Sequence, residues 1–100
     1  MIRRLIIRDE AEADTSEAAL WYQNQTPGLG DEFLAEVRAA IERVVENPLA
    51  HRRLRRRPEV RRVLTARFPY RVFYILRPDA IIVFRVLHGA RHDREWRRSV

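Results

Sequence analysis

The sequence predicts an α+β fold with the chain order β-α-α-β-β-β, a helical hairpin packed on one face of a small, mostly antiparallel sheet. Two observations predict it. Phe33, Leu34, Val37, Ala40, Ile41, Val44 and Val45 form an amphipathic stripe at helical spacing, directly after a Pro-Gly turn. Three runs rich in β-branched and aromatic residues then lie end to end between residues 60 and 88, broken at Phe68-Pro69 and at Pro78-Asp79.

Residues 2–8 are rich in isoleucine and leucine and read as a short first strand, moderately buried on both sides. Asp9 is a good helix N-cap, and Glu12 stands three positions on, as a capping box requires. The pair is therefore a cap and not two catalytic carboxylates. Ala11, Thr15, Ala18, Ala19 and Tyr22 give the first helix a small, close-packing face. Trp21 and Tyr22 supply its apolar bulk and are packing residues before they are a base-stacking platform. Thr26-Pro27-Gly28-Leu29-Gly30 stops this helix in a tight turn, and Asn47-Pro48 ends the second. The short turn makes the two helices antiparallel neighbours.

Residues 49–59 are the least structured segment and hold five arginines, a solvated basic loop. The strands follow at 60–68, 70–77 and 80–88, with Arg77-Pro78-Asp79-Ala80 as a hairpin turn. Alternation on the middle strand sends Tyr70, Val72, Tyr74 and Leu76 toward the helices, and Arg71, Phe73, Ile75 and Arg77 to an open face. On the last strand it sends Ile82, Phe84 and Val86 inward, with Val83, Arg85 and Leu87 outward. Trp96 pins a short polar tail.

One hundred residues make one domain, residues 1–100, with no internal repeat. No apolar run approaches the roughly 20 residues of a membrane span. The N-terminus lacks the long apolar region of a signal peptide, and there is no cysteine, so a cytoplasmic protein without thiolate metal sites or disulfides is expected. The net charge is +6, and all twenty basic side chains are arginine. That balance favours acidic partners such as nucleic acid, a membrane surface or an acidic protein segment.

Several groups recur in a recognisable order. They are Trp21-Tyr22 with Pro27-Gly28-Leu29-Gly30 and Phe33-Leu34; Asn47-Pro48; Arg61-Arg62 followed by Phe68-Pro69-Tyr70-Arg71-Val72-Phe73-Tyr74; and His88-Gly89-Ala90-Arg91 with Trp96. In these the chain resembles the RelE/ParE superfamily of bacterial type II toxin–antitoxin toxins, nearly end to end. The resemblance implies a small basic growth inhibitor held in a hetero-oligomer by a cognate antitoxin with an acidic toxin-binding segment. It also implies one of two mechanisms. RelE-like members cut mRNA on the ribosome without a metal. ParE-like members inhibit DNA gyrase.

Cleavage through the 2′-hydroxyl needs a base, a cation on the crowded phosphate and an acid for the leaving oxygen; each acid–base group is worth about 10²–10⁴-fold. By resemblance Arg62, Arg71 and Arg91 match phosphate-binding positions. The partners are poorer. Leu64 stands where a second basic residue is expected, and Trp96 and Arg97 stand near the place of a catalytic tyrosine. Neither indole nor guanidinium shuttles protons near neutrality. Only His88 and His92 could serve as proton-transfer groups. Their bland roles are a strand-end hydrogen bond for His88 and a solvated tail residue for His92. His51 takes no role, and the histidine spacing gives no convincing metal site. The sequence thus reads as a ParE-like binder of DNA gyrase without cofactor, with Arg62, Arg71, Arg85 and Arg91 as an anion-facing surface and the acidic antitoxin as its occupant in the cell. A ribosome-dependent mRNA endonuclease is the alternative, and a plain basic nucleic-acid-binding domain a third reading.

Overall fold

A computed structural model describes residues 3–89. In chain order it holds β1 (Arg4–Ile7), α1 (Asp9–Gln25), α2 (Leu29–Glu46), β2 (Arg52–Arg53), β3 (Val60–Leu64), β4 (Tyr70–Leu76) and β5 (Ala80–His88). The predicted α+β order is present, with β2 as an addition. The strands form one mixed sheet in the order β1-β5-β4-β3-β2. β3, β4 and β5 are the antiparallel meander, and β2 pairs antiparallel with β3. β1 lies parallel to β5 at one edge, because the helical hairpin and the meander separate the two in sequence. Arg91, His92 and Trp96 lie outside the described residues.

Three local expectations are corrected. Arg8, in extended conformation and without a side-chain cap bond, holds the N-cap position; Asp9 is the first helical residue. Asp9, Glu10 and Glu12 instead place negative charge in the first turn, where the helix dipole favours it. Trp21 is 58% exposed, because α1 buries the smaller Ala11, Ala18 and Ala19. Tyr22 alone turns inward, with ring centroids 5.3 Å from Phe33 and 4.7 Å from Phe68. Third, β1 is an exposed edge strand and not a half-buried one, with Leu5 43% and Ile7 37% exposed.

The hairpin is tight for a visible reason. Gly28 adopts φ +90°, which suits glycine. The Gln23 side-chain oxygen accepts the backbone N–H groups of Gly28 and Gly30 at 3.0 and 3.2 Å. It thereby satisfies amides that open α2. A β-carbon on Gly30 would stand 2.6 Å from the Ala19 carbonyl oxygen, so only glycine lets the helices approach this closely.

The main core lies between helices and sheet: Phe33, Val37 and Val44 from α2 meet Val63, Val72, Tyr74, Ile81, Val83 and Val86. The opposite face is not bare. Val60, Phe73, Ile75, Phe84 and Leu87 form a second buried cluster, against which Leu54 packs. A bulge causes the difference from simple alternation. Tyr74 is registered on Val83 but Phe73 on Arg85, so Phe84 is an extra residue on β5. Ile81 and Val83 therefore face the helices before the bulge, and Val86 after it, while Phe84 turns to the other side. The expected positions of Val86 and Leu87 hold; those of Ile82, Val83 and Phe84 do not.

The segment 49–59 is also more ordered than a solvated loop. Arg61 donates to the carbonyls of Leu49 and His51 at 3.2 and 2.9 Å, and the Leu54 N–H donates to Val60 at 2.9 Å. His51, given no role from sequence, stands 3.2 Å from the Arg43 carbonyl in the last turn of α2.

Candidate functional site

Strand register decides which arginines share a face. Arg52 is directly opposite Arg62 across β2 and β3. Arg62 is opposite Phe73, and Leu64 is opposite Arg71, so Arg62 and Arg71 are diagonal neighbours. All three belong to the face with Phe73, turned away from the helices. At about 4.8 Å between strands they cross roughly 10 Å of sheet.

Their electrostatics differ from those of the other arginines. Arg57 pairs with Glu59, Arg67 with Glu32 and Glu36, and Arg85 with Asp14. Among the described residues no carboxylate pairs with Arg52, Arg62 or Arg71. Burial, followed by repulsion from Arg71 and Arg52, pushes the Arg62 guanidinium below its ordinary range. Half-buried like charges without a counterion cost stability, which is a reason to look for an anionic ligand there. Arg52 escaped the sequence reading because it is one of five arginines in a segment with no periodicity. Its pairing with β3 is a long-range fact.

Arg85 is registered on Phe73, but its guanidinium is taken up by a carboxylate of α1 and is not one of the unpaired set. Its guanidinium donates to both carboxylate oxygens of Asp14 on α1, at 2.7 and 2.9 Å. Asp14 also accepts the Val86 N–H at 2.9 Å. The cause is the short β1, which pairs with β5 only as far as Val83. Beyond it the edge of β5 is free for α1, and the Asp14 carboxylate takes the place of the missing strand. The sequence carried a signal, since Asp14 lies three residues after Ala11 and four before Ala18, both buried.

His88 is on the other side. It is registered on Tyr70 with ring centroids 5.4 Å apart, and lines a cleft of about 410 Å³ with Tyr22, Trp21 and Glu17 from the helix layer. A phosphate held by Arg62 and Arg71 would lie across the sheet from this imidazole. The arrangement offers an anion positive charge and, among the described residues, no neighbouring group suited to proton transfer. Tyr74, sent toward the helices by alternation, is fully buried there and donates to the Pro48 carbonyl at 2.6 Å. Among the described residues no three His, Asp or Glu side chains are grouped to hold a metal, and no helix is long and apolar enough to cross a membrane.

The solved structure "Chromosomal ParDE TA system from P. aeruginosa" is similar in fold, with a TM-score of 0.68 at 22% identity over 87% of this chain and 96% of that one. No curated protein matches. The family model described as the ParE toxin of the type II toxin-antitoxin system, parDE, matches residues 5–93, almost the whole chain. By that match the chain belongs to the ParE toxin family of type II toxin–antitoxin systems.

Proposed function

We propose that this toxin arrests growth in the cytoplasm by binding DNA gyrase, without chemistry of its own, and that a cognate antitoxin neutralises it in a hetero-oligomer. The observation that carries the reading is the set of Arg52, Arg62 and Arg71, half-buried or exposed on one sheet face without described carboxylate partners. Arg91, outside the described residues, is proposed to extend it. Such a face suits an anionic surface, and its charges are positioned before the partner arrives. The endonuclease alternative would need Arg62, Arg71 and His88 to converge on one phosphate, and His88 stands on the opposite side of β5.

The test combines two assays on purified toxin. Supercoiling by gyrase should fall, and mRNA in a translating extract should stay intact. Cleavage of ribosome-bound codons with unimpaired supercoiling would replace this reading by the nuclease. His88→Ala and His92→Ala should leave toxicity unchanged. Loss of toxicity in either, with the fold retained, would reopen the acid–base route.

A further inference from the structure

Trp21 is the most exposed aromatic side chain among the described residues, at 58%. It does not stand alone. Its ring is edge-on to Tyr22 with centroids 5.1 Å apart, Tyr22 is 6.2 Å from Tyr70, and Tyr70 is 5.4 Å from His88. The four rings form a continuous wall along the cleft of about 410 Å³, where α1 crosses the start of β4 and the end of β5. Core packing accounts for Tyr22, which reaches Phe33 and Phe68. It does not account for an indole more than half in water, and exposed tryptophan beside a cleft is the chemistry of an interaction site.

Charge narrows the occupant. The carboxylates of the cleft are Asp14 and Glu17, and among the described residues no arginine lines it, in a chain that has twenty. Asp14 is taken up by Arg85 and the Val86 N–H. Glu17 has no ion pair among the described residues. A carboxylate beside the electron-rich faces of aromatic rings attracts a cation and repels phosphate. That separates the cleft from a base-stacking platform, which needs positive charge along the path of the nucleic-acid backbone.

The chain uses the matching chemistry elsewhere. Arg67 lies over the Phe68 ring, 5.4 Å from its centroid, and pairs with Glu32 and Glu36. The cleft offers the rings and the carboxylate of that arrangement without an arginine of its own. A planar guanidinium stacks on a ring and bonds a carboxylate at once, which a compact ammonium does less well. We propose that the cleft formed by Trp21, Tyr22 and Glu17 is a docking site for an arginine side chain presented by a basic segment of a protein partner. The guanidinium stacks on the aromatic wall and donates to Glu17. The site lies on the helix side of the sheet, apart from Arg52, Arg62 and Arg71. The toxin thus carries two surfaces of opposite preference, and this one does not depend on gyrase being the target.

The probe is a capped tripeptide, Gly-Arg-Gly, titrated into the full-length toxin. Its control replaces the arginine by citrulline, which has nearly the same shape and no charge. Binding is followed at the indole N–H resonance of Trp21, identified by its loss in Trp21→Phe. The arginine peptide should shift that resonance saturably, and the citrulline peptide should bind at least tenfold more weakly. Glu17→Gln, an exposed substitution that keeps the shape, should weaken the arginine peptide at least fivefold. Equal binding of the two peptides, no saturable shift, or an unchanged affinity in Glu17→Gln would overturn the site. Tighter binding of adenosine than of the arginine peptide would overturn it in favour of base stacking. Propylguanidine, the same cation without a backbone, should bind no more tightly than the peptide; tighter binding would overturn the protein partner in favour of a free small cation. The gyrase reading is decided separately, by the supercoiling assay.

Discussion

Asp14 and Arg85, 71 residues apart, form a bidentate ion pair at 2.7 and 2.9 Å, with both side chains only 12% exposed. The pair ties α1 to β5 at the point where β1 has ended, and the same carboxylate satisfies Val86. Removing one partner of such a pair leaves a charge in a site built for two. Asp14→Ala should cost about 3 kcal/mol in denaturant unfolding. Arg85→Ala alone should cost less than Asp14→Ala, because the carboxylate keeps the Val86 N–H. A double-mutant cycle should show coupling above about 1 kcal/mol. Additive losses would mean that the pair is incidental.

Gly28 and Gly30 should fail for different reasons. Gly28→Ala meets no atom within 4 Å, so its cost is the dihedral alone, about 1 kcal/mol. Gly30→Ala drives a methyl into the Ala19 carbonyl and must push the helices apart, costing about 2 kcal/mol despite the better helix propensity of alanine. Thermal unfolding of the two variants orders them. The reverse order would mean that the close approach of the helices is soft.

Tyr74 makes the fold sensitive to alkali. Burial pushes its hydroxyl up to about 12, with Arg61 opposing weakly. Above the ordinary tyrosine value of about 10 the unfolded chain loses this proton and the folded chain keeps it. Stability is therefore full below about pH 10, falls as the pH rises toward 12, and levels off beyond. The loss across that window should be about 2–3 kcal/mol. Tyr74→Phe should abolish this slope while costing about 1 kcal/mol at neutral pH, for the Pro48 carbonyl left without its donor. A slope that survives in the phenylalanine variant assigns it elsewhere.

Arg62→Gln should separate stability from function. It removes a charge that burial and two neighbouring arginines disfavour, so the fold should be unchanged or slightly more stable. Growth arrest should weaken at least tenfold in the toxin dose required. A destabilised variant with full toxicity would show that Arg62 is structural.

Much of this was legible in the sequence. The stripe from Phe33, the turn at Pro27-Gly28 and the aromatic meander are local patterns, and each gave its element correctly. The phase of β4 followed from Tyr70, Val72 and Tyr74 because no irregularity interrupts that strand. β5 failed at Phe84, since a bulge is settled by its partner strand and leaves no mark among consecutive apolar residues. Arg71 was placed on the open face by alternation, whereas Arg62 came from the family resemblance. Arg52 and the loss of Arg85 to Asp14 depend on pairings across the fold, and a strand of two residues has no periodicity to read. The cleft beside Trp21 was hidden for the same reason. Trp21 and Tyr22 read as one packing pair, and only the long-range pairing of Tyr70 with His88 sets a cleft beside them.

The most direct test of the central claim is gyrase supercoiling measured with wild-type toxin and with the doubly substituted Arg62→Gln, Arg71→Gln protein at matched concentration. The wild type should halt supercoiling, the double variant should leave it at least tenfold less inhibited, and both should share the same circular dichroism and thermal midpoint. Equal inhibition by the two folded proteins would contradict the arginine face as the target-binding surface, and no inhibition by the wild type would contradict gyrase as the target.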